Sequence, residues 1–125
     1  MGNVTTKADF ELYKKEADKW VDFFQLRSWH VNYDHAEPPD DLDGCWGWCE
    51  TAWKDRVCTL GLSLDWKESK VTKERIKIMA FHEVCELLLS RLRIEALVDV
   101  SEVRRDEIIE QTHAIIRRLE HAVFK

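Results

Sequence analysis

The segment FHEVCELLL at residues 81–89 places a histidine and two glutamates, His82, Glu83 and Glu86, in an otherwise apolar run. The apolar periodicity on either side of it predicts an α-helix over about residues 72–93. Positions 82 and 86 are one helical turn apart, so their side chains meet on one face. In zinc proteases, two residues at this spacing hold the metal, and the glutamate after the first activates a water molecule.

The elements around this helix predict an α+β fold in a single domain over residues 1–125. Helical periodicity predicts a first helix over residues 6–27 and a last helix over residues 101–123. Alternating and aromatic-rich stretches predict strands over residues 29–35, 45–53 and 56–65. We therefore expect an N-terminal helix, a three-stranded mainly antiparallel sheet, the motif-bearing helix and a C-terminal helix.

Charge and composition restrict the classes of partner. The net charge of −5 and the lack of a basic run argue against nucleic acid, because phosphate binding requires clustered Lys and Arg. No segment approaches the ~20 apolar residues that span a bilayer, and the first six residues lack an apolar signal core. We therefore expect no membrane partner, a cytoplasmic location and reduced thiols at Cys45, Cys49, Cys58 and Cys85.

A catalytic zinc site requires at least three protein ligands and an open position for water. His82 and Glu86 supply two of them, and the last helix offers Glu110 and His113 at i, i+3 spacing. A set with His113 has two histidines and one carboxylate, the softer donors that suit zinc better. A set with Glu110 has one histidine and two carboxylates, and it leaves His113 as an outer partner. In both sets Glu83 is the expected general base.

The same spacing also allows an interpretation without metal. His82 could bond to a carboxylate such as Glu86 or Glu110 and form a buried polar cluster whose hydrogen bonds are satisfied. Both interpretations require the one-turn spacing of His82 and Glu86, so this spacing does not separate them.

With its motif and its order of elements, the chain resembles the minimal zincin-like metallopeptidases encoded by bacteriophages, distant relatives of the SprT-like and ImmA/IrrE-like zincins. The resemblance covers about residues 10–123, and its matching segments are residues 29–31, 58–62, 82–88 and 110–119. It implies a His-Glu-x-x-His motif, with zinc on both histidines and the glutamate as base. It also implies a substrate peptide that adds as a strand at the sheet edge. Here Glu86 stands at the position of the second histidine.

From this resemblance we expect one Zn²⁺ per chain and hydrolysis of a peptide bond by a metal-bound water, with Glu83 as general base. The expected partner is a peptide or protein. The alternative is a catalytically inactive zincin-like protein that binds another protein through its sheet edge and through tryptophans such as Trp46 and Trp48. If the chain is encoded by a phage, the expected location is the host-cell cytoplasm.

Overall fold

The computed structural model describes residues 3–42 and 44–124. The elements follow in the order α1 (Lys7–Phe23), β1 (His30–Ala36), a short 3-10 helix (Asp40–Leu42), β2 (Gly47–Ala52), β3 (Val57–Ser63), α2 (Lys73–Ala96) and α3 (Glu102–Val123). The predicted α+β class and the predicted order of helices and strands are confirmed. In the described part of the chain, no helix is long and apolar enough to cross a membrane.

The sheet is mixed, so the prediction of a mainly antiparallel sheet is wrong. Its strand order is β1-β3-β2: β2 and β3 form the expected antiparallel hairpin, but β1 pairs with β3 in parallel. The connection over residues 37–46 carries the chain from β1 across β3 to the far edge. Ten residues easily span the two strand spacings of about 4.8 Å that this crossing requires. The alternation pattern that identifies a strand carries no information on its direction.

Side-chain caps set where the helices begin. The Thr6 hydroxyl accepts a hydrogen bond from the Asp9 N–H at 3.1 Å, and the Asp9 carboxylate accepts one from the Thr6 N–H at 2.8 Å. This reciprocal capping box satisfies two N–H groups that have no partner within the helix. Thr72 and Ser101 cap α2 and α3 in the same way through their hydroxyls. α1 therefore begins one residue after Thr6, as the sequence pattern indicated.

α2 is the central helix of the fold. It shares the main hydrophobic core with α1 and the sheet, and this core is built from Tyr13, Ala17, Val21, Trp29, Cys58, Leu60, Leu62, Trp66, Ile76, Ala80, Val84 and Leu87. The opposite side of α2 packs on α3 through a second buried cluster of Phe81, Cys85 and Ile116. The motif is therefore covered by the sheet and α1 on one side and by α3 on the other.

α3 is less buried than its apolar residues suggest. Of this helix only Thr112 and Ile116 are buried, whereas Ile115 is 41% exposed and Val123 is 43% exposed. Near the α2–α3 connection the two helices diverge and leave an open apolar groove of about 790 Å³. The apolar stripe predicted for α3 therefore meets α2 over only part of its length.

Trp48 is a buried packing residue, and Trp46 is half-buried. Trp48 is only 3% exposed. The Trp46 ring stacks on the buried Trp66 ring, with centroids 4.6 Å apart and planes 9° from parallel.

The close approach of Trp48 to Gly61 leads to a stability prediction. Gly61 lies opposite Trp48 in the β2–β3 register, and a Cβ atom at Gly61 would overlap the indole ring. We expect Gly61→Ala to lower the free energy of unfolding by about 1–3 kcal/mol, the usual cost of overpacking. Urea denaturation followed by tryptophan fluorescence measures this loss. Thr59→Ala, two residues earlier on the same face of β3, is the control, and an equal loss in both variants would contradict the overlap.

Candidate metal site between α2 and α3

Two polar residues of the motif, His82 and Glu86, face α3. α2 and α3 run antiparallel, so residues that lie further along α2 meet residues that lie earlier on α3. His82 therefore lies beside Glu120, and Glu86 lies beside His113. The Phe81, Cys85 and Ile116 cluster holds the two helices together at this level. Four side chains of metal-ligating types, two histidines and two glutamates, thus meet across one helix interface.

The four side chains form two pairs. His82 Nδ1 lies 2.7 Å from Glu120 Oε2, which is a hydrogen bond. His113 Nε2 lies 3.5 Å from Glu86 Oε2, which is an ion-pair distance rather than a hydrogen bond. The two imidazole rings have centroids 6.2 Å apart and planes tilted by 34°. Each histidine is therefore paired with a carboxylate of the other helix.

Arg93 adds a cation to this cluster. Its guanidinium donates a hydrogen bond of 2.9 Å to Glu86 Oε1, and both side chains are largely covered, at 22% and 15% exposure. Glu86 therefore has one oxygen on Arg93 and the other beside His113. A metal ion on Glu86 would have to compete with this guanidinium for the carboxylate.

Glu83 faces the interior rather than α3. It is 5% exposed, and the groups that act on its pKa include Glu86 and Cys58. Burial raises the pKa of Glu83 well above its ordinary value, and the negative charge of Glu86 raises it further. The glutamate also acts on Tyr13, a fully buried residue whose pKa is raised by its own burial first and by Glu83 second. Glu83 is thus a desolvated carboxyl with a strong tendency to hold a proton.

The structure brings His82, Glu86 and His113 together but leaves Glu110 outside. The Glu110 side chain is 71% exposed and lies 3.5 Å from Arg117. Three residues along a helix rotate the side chain by about 60° from the starting direction. When His113 faces α2, this offset turns Glu110 toward solvent. Glu110 also lies opposite the later part of α2, where it lines the open groove beside Leu89 and Leu92.

Glu120 and Arg93 are the members of this cluster that the sequence analysis did not identify. Glu120 lies seven residues after His113. Seven residues nearly complete two helical turns, so the two side chains share a face with an offset of only about 20°. An i, i+7 search from His113 would have identified Glu120. Arg93 stands at the same i, i+7 spacing from Glu86 on α2, so this spacing would also have identified Arg93.

The cluster has donors suited to zinc, but they are arranged as ion pairs. Among residues 3–42 and 44–124, no three His, Cys, Asp or Glu side chains converge closely enough to hold a metal ion without moving. With Zn–N distances near 2.0–2.1 Å, two imidazoles on one tetrahedral zinc ion have centroids on the order of 5 Å apart. The observed 6.2 Å exceeds this by about an ångström. The two rings would therefore have to move closer together before both could bind one zinc ion.

Cys85 does not provide a nucleophile for an alternative cysteine mechanism. It is fully buried in the cluster with Phe81 and Ile116. Burial raises the pKa of its thiol to about 12, and the nearby Glu120 and Glu86 charges raise it in the same direction. Because the thiolate is the reactive form, a thiol with this pKa is inert near neutral pH. Any chemistry at this site therefore rests on the histidines and carboxylates.

No protein-family model, curated protein or solved structure matches this chain. The functional proposal below therefore depends on the geometry of the site.

Proposed function

We propose that the protein is a zinc-dependent metallopeptidase whose metal is held by His82, Glu86 and His113. The observation that carries this proposal is the meeting of these three side chains across the α2–α3 interface, with His113 3.5 Å from Glu86. Two histidines and one carboxylate are a donor set found in catalytic zinc sites. When bound, zinc supplies Lewis-acid activation of a water molecule and of the scissile carbonyl group.

In this proposal Glu83 is the general base. It follows the first ligand directly, and its buried carboxyl has a raised pKa. A base with a pKa above the ordinary glutamate value takes a proton from water more readily and later returns it to the leaving amine. A bound cation would lower this pKa again through its positive charge, which favours the carboxylate form that the reaction requires.

The peptide substrate would add to the sheet beside the motif. β2 is an edge strand, since it pairs only with β3 in the described sheet, and it packs against α2. An edge strand offers free backbone N–H and C=O groups that can pair with an extended peptide. In this proposal the protein acts on peptides or proteins in the cytoplasm, in the host cell if a phage encodes it. Thiols at Cys49 and Cys58, with Sγ atoms 3.7 Å apart and unlinked, agree with a reducing compartment.

Zinc stoichiometry tests the proposal. After zinc loading and gel filtration, we expect elemental analysis to find one zinc per wild-type chain. We expect little or none in His82→Ala and His113→Ala, because each removes one of three ligands. His121→Ala is the matched control, since His121 is an exposed histidine of α3. Wild-type protein without zinc, or equal zinc in all three variants, would contradict the metal site.

The open apolar groove favours a second candidate function, that of a catalytically inactive zincin-like protein that binds another protein. The groove lies between the end of α2 and the start of α3, and its apolar lining consists of Leu89, Leu92, Ala96, Ile108 and Ile115. Exposed apolar surface of this kind is frequent at interaction sites. In this alternative, the His82–Glu120 and Glu86–Arg93 pairs are structural, and zinc loading gives no bound metal.

A further inference from the structure

The hydrogen bond between His82 and Glu120 is the shortest and best-formed contact of the site. Its 2.7 Å length is typical of a charge-assisted bond, and both side chains are largely covered, at 26% and 20% exposure. In the described part of the chain, no hydrogen bond reaches the other ring nitrogen, Nε2. His82 is therefore held through one nitrogen while the second stays available.

Packing on both helices fixes the position of this pair. Phe81 directly precedes His82, and Phe124 follows Glu120 by one turn. The two phenylalanine rings meet edge to face with centroids 5.4 Å apart. Ile116, one turn before Glu120, is fully buried against the same cluster. The carboxylate therefore approaches the imidazole from a defined direction and does not depend on a flexible surface contact.

The acceptor character of the carboxylate selects one form of the neutral ring. An ionised carboxylate can only accept hydrogen bonds, so the proton of a neutral His82 belongs on Nδ1. Nε2 then carries the lone pair, which is the atom and form that a metal ion requires. Carboxylates that orient metal-binding histidines in this way commonly change metal affinity by 10–100-fold.

We infer that Glu120 is a positioning residue that holds His82 in the Nδ1–H form, with Nε2 free to bind the metal. The role of Glu120 in metal binding rests on the proposed function. The Nδ1–H form of His82, however, is a property of the metal-free protein and can be measured without zinc. Glu120 orients a proposed ligand and is not itself one. It was not among the candidates for the third ligand, His113 and Glu110, that the sequence spacing predicted. Glu110, turned toward solvent, has no part in this arrangement.

The first test is ¹⁵N NMR of the histidine rings in metal-free protein at pH 8.5, where an imidazole is ordinarily neutral. The His82 signals are assigned by their loss in His82→Gln. We expect the Nδ1–H form in wild type and a shift toward the Nε2–H form in Glu120→Ala. Glu120→Gln should keep the Nδ1–H form, since its amide oxygen still accepts. A wild-type ring protonated on Nε2, or no change in Glu120→Ala, would overturn the inference.

The second test is zinc affinity, measured by competition with a chromophoric chelator. We expect Glu120→Ala to bind zinc about 10–100-fold more weakly and Glu120→Gln to stay within a few-fold of wild type. Glu110→Ala, which removes an exposed carboxylate of the same helix, is the control for net charge and should match wild type. A loss in Glu120→Gln as large as in Glu120→Ala would overturn the inference, because it would show that the negative charge, and not the accepted hydrogen bond that orients the ring, supports zinc binding.

The two tests separate the inference from the proposed function. If wild type binds no zinc while the ring forms change as expected, the metallopeptidase proposal fails and the orienting role of Glu120 stands. If wild type binds one zinc while Glu120→Ala leaves both ring form and affinity unchanged, the orienting role fails and the metal site stands.

Discussion

Glu83→Gln is expected to lower peptidase activity by about 10²–10⁴-fold, the usual contribution of a general base, while zinc remains at one per chain. The amide cannot accept the proton of the attacking water, and Glu83 is not among the proposed ligands. Cleavage of a fluorogenic peptide library by the zinc-loaded protein measures the loss. Glu68→Gln, at an exposed position before α2, is the matched control. Equal cleavage by wild type and Glu83→Gln, or no cleavage by either, would contradict the hydrolase proposal.

The same substitution should change how stability depends on pH. Because burial raises the pKa of Glu83 in the folded state, the folded protein retains this proton more strongly than the unfolded chain does. Above the ordinary glutamate pKa of 4.5, the Glu83 carboxyl ionises in the unfolded chain, and this ionisation stabilises the unfolded state. The free energy of unfolding of wild type therefore falls as pH rises. An amide side chain does not ionise in this pH range, so it adds no such pH dependence to the stability of Glu83→Gln. The stability of Glu83→Gln relative to wild type should thus increase from pH 5 to pH 8.

Thermal unfolding of the metal-free protein in the presence of a chelator measures this dependence. We expect the difference in Tm between Glu83→Gln and wild type to shift in favour of the variant as pH rises. Glu68→Gln should show no comparable trend, since its carboxyl is exposed. A difference that stays constant from pH 5 to pH 8 would contradict a raised pKa at Glu83. Lower activity together with higher relative stability is the expected signature of a buried carboxyl whose desolvation costs stability but whose basicity serves the reaction.

Phe81→Ala is expected to lower the free energy of unfolding by about 3–5 kcal/mol, the usual cost of removing a buried phenylalanine ring. Phe81 is fully buried, and its ring contacts Trp20 edge to face at 4.8 Å and Phe124 at 5.4 Å. It also belongs to the small cluster that joins α3 to α2. The substitution should therefore loosen the interface that brings His113 and Glu120 to the motif.

Urea denaturation measures the loss, and zinc affinity measures its effect on the site. Phe23→Ala is the matched control: Phe23 also meets Trp20 edge to face, at 5.5 Å, but it is 68% exposed. We expect the control to cost less than about 1 kcal/mol, because little apolar area is lost from the interior. Phe81→Leu, which retains apolar volume, allows the measurement if Phe81→Ala does not fold. Equal losses in Phe81→Leu and Phe23→Ala would contradict the joining role of Phe81.

Local patterns were sufficient to predict the helices and strands. The apolar periodicity of α1, the capping residues Thr6 and Thr72, and the alternation of Cys58, Leu60 and Leu62 all act over a few residues. Local patterns did not predict the strand pairing in the sheet. Its parallel β1–β3 pair depends on where a long connection crosses the sheet, and no local pattern records this path.

In the candidate site, too, some features follow from the local sequence and others depend on the tertiary structure. The spacing of His82 and Glu86 on one helix face follows from helix geometry and was predicted from the sequence. The choice between Glu110 and His113 as a partner was not, because it depends on how α3 is rotated against α2. The burial of Ile116 sets this rotation, and it turns His113 inward and Glu110 outward.

By itself, the sequence determined the class of fold, the motif-bearing helix and the placement of His82 and Glu86 on one face of that helix, since these follow from backbone geometry and apolar periodicity. Only the tertiary structure decided that Glu120 holds His82, that Arg93 pairs with Glu86 and that Glu83 faces the interior. The Glu120–His82 contact joins two helices that pack against each other, and the burial of Glu83 depends on how α2 packs in the fold. The Arg93–Glu86 pair lies within α2 and depends on the side-chain conformations adopted there. The energies of these contacts depend on distance and burial, which exist only once the chain has folded.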